Sequence, residues 1–232
     1  MQYSDVIATL KTMEQPKNIQ GMIRYGINPI NNLGISIYQL RHLAKEIGTN
    51  HDLALKLWDS GIHDARLLAV FIDDPIQVTS EQMDAWAADF DSWDICDQAC
   101  TSLFDKTPHA WTKVYTWATR KEEFVKRGAF ALLAGLAVHD KKATNQDFER
   151  CAPLIKKCCT DDRNYAKKAV NWALRNIGKR NQPLNKKMIQ LSKELLTIDS
   201  QSARWIATDA LRELTSEKVH HRIKTKKKKK RY

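Results

Sequence analysis

Five segments of this sequence begin with a charged residue and continue as an apolar helical face: RLLAVFI, DQACTSLF, RGAFALLAGLA, KAVNWALRNIG and RWIATDALREL. Their leading residues, Arg66, Asp97, Arg127, Lys168 and Arg204, are separated by 31, 30, 41 and 36 positions, the length of a two-helix unit. A helix pair of that size cannot bury its apolar face alone and has to stack on the next pair. The periodicity therefore predicts an all-α chain, an α-solenoid forming a single curved domain over residues 1–216, with corresponding helices lining a concave wall. Eight glycines and six prolines in 232 residues leave the long 3.6-residue patterns uninterrupted, and no strand signal competes with them. Four of the five leading residues are cations and suit a phosphate backbone; Asp97 is the exception. Chance alignment in irregular repeats is the alternative.

The net charge of +11 is unevenly placed. From Glu217 onward, EKVHHRIKTKKKKKRY holds nine Lys or Arg against one Glu and supplies +8 of that total. So dense a run repels itself, and residues 217–232 read as a disordered basic arm, either solvated or drawn to a polyanion, of which nucleic acid is the first choice. The five cysteines, Cys96, Cys100, Cys151, Cys158 and Cys159, form no zinc or disulfide spacing. No membrane-length apolar run or signal peptide is visible, and phosphate loop, dinucleotide fingerprint and nucleophile elbow are missing. A cytoplasmic monomer without metal or cofactor is expected.

Two helices carry candidate chemistry. In SWDICDQAC, Asp91 reads as an N-cap with Asp94 completing an acidic capping arrangement. Ile95, Cys96, Ala99, Cys100, Leu103 and Phe104 form the core arc, and Trp93 and Asp97 lie one turn apart at its edge. In KKAVNWALRNIGKR, Ala169, Val170, Ala173, Leu174 and Ile177 face the core. Lys168, Trp172, Arg175 and Lys179 form the opposite stripe. A large aromatic among cations is suited to base or sugar contact between phosphate contacts; packing of Trp172 on a neighbouring repeat is the alternative. Arg127 heads an almost wholly apolar helix, so it needs an anion. Trp205 and Asp209 repeat the four-residue spacing and are a second choice.

Taken in order, YGINPINNLGIS, DSWDICDQAC, EEFVKRGAFALL, NYAKKAVNWALRNIGKRN and ARWIATDALREL resemble the bacterial DNA alkylation-repair glycosylases of the AlkD type, built of HEAT-like repeats. The resemblance covers nearly the whole chain except the lysine-rich end. It implies a basic concave face that holds duplex DNA and an active site of two tryptophans and an aspartate. Trp93 and Asp97 match the Trp-x-x-x-Asp element, Trp172 the second tryptophan, and Arg127 a DNA-contacting arginine. Lys168, Arg175, Lys179 and Arg204 are expected to meet phosphates on either side. The implied substrates are purines alkylated at N3 or N7 in duplex DNA, in a bacterial cytoplasm and on the nucleoid when bound. Relatives sharing the fold without the catalytic set are binding proteins, so a non-catalytic DNA- or RNA-binding solenoid remains open, as does a protein-interaction scaffold.

Overall fold

The computed structural model describes residues 1–229; 230–232, the end of the basic arm, lie outside the described residues. Within them every regular element is helical, and no helix is long and apolar enough to cross a membrane. The chain divides into two compact units, Met1–Ala110 and a second beginning at Trp111, where the sequence pattern suggested one continuous domain.

The first unit contains α1 (Tyr3–Thr12), α2 (Pro16–Arg24), α3 (Ile37–Ile47), α4 (His51–Asp59), α5 (His63–Ile72), α6 (Ser80–Ala88) and α7 (Trp93–Gln98). A π-helical turn, Ala99–Leu103, and a 3-10 turn, Phe104–Lys106, extend α7. Helix starts follow local chemistry. The hydroxyls of Ser36 and Thr79 and the amide oxygen of Asn50 accept backbone N–H bonds at the starts of α3, α6 and α4. Gly34, at φ +73, brings its loop against α2, where an added Cβ would lie 2.4 Å from the Gln15 carbonyl oxygen; only glycine fits both the angle and the space. Trp58 and Trp86 stack with ring centroids 4.0 Å apart in a core completed by Phe90 and Phe104.

The second unit is built from α8 (Ala110–Ala118), α9 (Glu123–His139), α10 (Asn145–Glu149), α11 (Ala152–Cys158), α12 (Asn164–Gly178), α13 (Gln182–Leu196), α14 (Gln201–Leu214) and α15 (Glu217–Lys229). Helix α9 is buried from Gly128 to Ala137, as expected for a helix apolar nearly all round. It packs on α12, which in turn packs on α14. The five residues that head the repeating segments thus fall on α5, α7, α9, α12 and α14, and α4 with α5, α11 with α12 and α13 with α14 form the accompanying pairs.

Polar contacts obey the same period. Asp64 accepts the Leu33 N–H, Trp58 donates to Asp89, and His63 meets Asp94, each pair 31 residues apart. In the second unit Arg127 reaches the Tyr165 carbonyl and Asn171 reaches Asp209, both 38 residues on. Within each unit, these bonds join neighbouring repeats across about one period.

The basic arm departs from the disorder its composition suggests. It is helical from Glu217 to Lys229, because Val219 and Ile223, one turn apart, are buried where α15 meets α13 and α14. That short apolar seam anchors the helix despite the charge.

Candidate functional site

The helix that carries Trp93 and Asp97 is fixed at its first turn. Its N-cap is Ser92 rather than Asp91: the Asp91 carboxylate turns away to accept a bond from Asn28 Nδ2 at 2.8 Å. Ser92 Oγ donates to Asp94 Oδ1 at 2.7 Å, and the other Asp94 oxygen lies 2.9 Å from His63 Nε2. Burial opposes the charge on Asp94, but bonding and charge from His63, with help from Ser92 and the Ile95 amide, outweigh it and hold its pKa below the usual 3.8. Burial likewise opposes the His63 cation, yet Asp94, aided by Asp64 and Asp91, raises its pKa above 6.5. Both shifts favour an ion pair beneath the helix.

Trp93 opens α7 half-buried, and its indole N–H donates to the Tyr25 carbonyl at 2.8 Å, which sets the ring plane. Asp97 lies one turn later and is also half-buried. Its backbone carbonyl accepts from Thr101 Oγ1 at 2.7 Å as the helix widens into the π-helical turn. π turns inside α-helices often mark functional sites. The side of this helix toward the core, including Cys96 and Cys100, is buried; burial pushes the Cys100 thiol well up, consistent with an inert apolar role.

In the second unit, the apolar arc expected on α12 is buried as expected. Trp172 is half-buried and Lys168 exposed. Arg175 and Lys179, expected to face phosphate, meet carboxylates instead: Arg175 Nη1 lies 3.2 Å from Asp209 and 3.0 Å from Glu213, and Lys179 Nζ is 2.9 Å from Glu213. The reason is that Asp209 and Glu213, one turn apart on α14, present both carboxylates to α12. Arg204 is exposed and paired with Asp199 at 3.3 Å. Arg127 is only 7% exposed; Nη1 donates to the Tyr165 carbonyl at 3.0 Å, and the guanidinium lies over the Tyr165 ring. Trp205 is 41% exposed beneath Lys167. Asp209 is held by Asn171, Arg175 and Arg212, so the second Trp and Asp pair is tied into packing between α12 and α14. Arg66 is likewise engaged, with Asp89 and the Trp58 carbonyl.

The expected residues thus divide between the units: Trp93 and Asp97 in the first, Arg127, Lys168, Trp172, Arg175, Lys179 and Arg204 in the second. His63, Tyr25 and Asn28 were not singled out from sequence, and the 31-residue period offers the only signal for His63. No cluster of metal-ligating side chains occurs among the described residues.

Charge divides with the fold. Residues 1–110 hold eight Lys and Arg against fifteen Asp and Glu, a net of −7. From Trp111 onward there are thirty against twelve, a net of +18.

The sequence matches the family of DNA alkylation repair enzymes over residues 6–214. This chain belongs to that family. The matched span ends before α15. A solved structure described as a new family of proteins related to the HEAT-like repeat DNA glycosylases, with affinity for branched DNA structures, is 19% identical. It covers 92% of this chain and 96% of its own, with a TM-score of 0.76, and identifies the fold of this repair-family member as HEAT-like. A designed armadillo repeat protein, 15% identical over 87% of this chain and 100% of its own, has a TM-score of 0.35 and adds no argument. A search of curated proteins finds no match.

Proposed function

We propose that this protein is a monofunctional DNA glycosylase that releases cationic N3- or N7-alkylated purines from duplex DNA. The observation that carries the reading is the construction of α7: Trp93 with its ring plane set by Tyr25, Asp97 one turn away, and the helix held by the His63–Asp94 pair. An alkylated purine already bears positive charge and leaves without strong acid catalysis. The barrier is then the oxocarbenium character that develops on the deoxyribose as the N-glycosidic bond breaks. A carboxylate at Asp97 stabilises that cation or orients the attacking water. Trp93, and Trp172 by resemblance, add cation–π attraction worth about 0.5–2 kcal/mol each. Lys168 is assigned to phosphate. In this reading Arg127 positions α9 against α12, and Arg175, Lys179 and Arg204 meet phosphate only after exchanging their carboxylate partners.

The test is release of 3-methyladenine and 7-methylguanine from methylated duplex by wild type and Asp97→Asn. Equal background release by both would refute catalysis by Asp97. A second reading, a non-catalytic binder of branched DNA, draws on the affinity described for the structurally similar HEAT-like protein. It requires tight junction binding with no base release.

A further inference from the structure

We infer that Tyr38 and Arg41 on α3 form a contact for the DNA backbone beside the helix that carries Asp97. The inference rests on the proposal that the chain acts on DNA, and it concerns how the acidic first unit tolerates a phosphate strand. At −7, that unit repels phosphate except where a cation stands forward with its charge uncompensated. Arg66 does not qualify, because Asp89 neutralises it.

Arg41 is different. It is exposed, and its guanidinium is held by neutral groups: Nη2 donates to Gln98 Oε1 at 3.2 Å, and the guanidinium carbon lies 5.3 Å from the centre of the Phe71 ring. Ser102 Oγ donates to the same Gln98 oxygen at 3.2 Å, which fixes the amide for Arg41. An amide and a ring orient the cation without cancelling its charge, leaving its remaining donors for a bidentate anion. Arg175, Lys179 and Arg204 each face a carboxylate by contrast. Gln98 directly follows Asp97, so the oriented cation sits next to the proposed catalytic helix.

Tyr38 lies three residues before Arg41 on the same helix face and is 79% exposed. Lys45, one turn beyond Arg41, is also exposed. A phenol ring beside an oriented guanidinium suits a deoxyribose packed next to its phosphate. Arg41 supplies the charge and Tyr38 the packing surface.

The experiment is fluorescence anisotropy of the full chain with a labelled undamaged duplex across a salt series, for wild type, Arg41→Gln, Arg41→Lys and Tyr38→Ala. Arg41→Gln is expected to weaken binding about 10-fold at low salt and to lower the magnitude of the log K against log salt slope by about 0.9. Arg41→Lys restores the slope, and Tyr38→Ala weakens binding about 5-fold with the slope unchanged. An Arg41→Gln slope equal to that of wild type overturns the inference, as does a slope lost equally in Arg41→Lys. If Arg41→Gln lowers the melting temperature, the Arg41→Lys slope decides alone. Wild-type base release, measured separately, tests the glycosylase reading, so one can fail without the other.

Discussion

Asp94 and Asp97 stand three residues apart on one helix with different tasks. Asp94 is committed to His63 and Ser92, whereas Asp97 is assigned to the reaction. On the proposed function, substituting Asp97→Asn is expected to cut base release about 100-fold or more. His63→Gln should instead destabilise the fold by about 3 kcal/mol near pH 6, since it leaves a buried carboxylate without its cation. The pH dependence follows from the two shifts. With its pKa raised, His63 contributes fully below about 6.5 and loses that contribution as pH rises through its folded value. With its pKa lowered, Asp94 contributes above about 3.8 and loses that as pH falls through its folded value. The difference between wild type and His63→Gln, measured by urea denaturation, should be largest between about pH 4 and 6.5. At this scale the Trp93 and Asp97 spacing was readable because both lie on one helix. The His63 partner was not, because it lies a full repeat away.

Ser36, Asn50, Thr79 and Ser200 each cap the helix that follows them through a side-chain oxygen. Asp91 was misread as a cap because a carboxylate one residue early looks the same in sequence, and Asn28, 63 positions away, decides its direction. The stripe on α12 was read correctly as a periodicity, but the acids opposing it belong to another helix. Composition likewise hid the α15 seam, since two apolar residues among lysines carry little statistical weight yet are buried by α13 and α14. Deleting residues 224–232 should reduce the salt slope for duplex binding by several units while leaving the fold of 1–216 intact by circular dichroism. Gly34→Ala should cost about 2 kcal/mol or more, measured by thermal melting, because it adds a Cβ against the Gln15 carbonyl at a positive φ.

For the whole molecule, the repeat period predicted stacked helix pairs, the family resemblance implied that they are HEAT-like, and the basic C-terminal run pointed to a polyanion. None of these disclosed that the charge divides into −7 and +18 between two units. Long-range attraction to DNA depends on summed charge and is screened by salt. On the proposed function, the second unit would set how fast duplex is captured, and the first, which carries Trp93 and Asp97, how long a damaged site is kept. In stopped-flow measurements, neutralising Lys168 or shortening α15 should slow association and flatten its salt dependence. Trp93→Ala should leave association unchanged and speed dissociation from alkylated duplex alone.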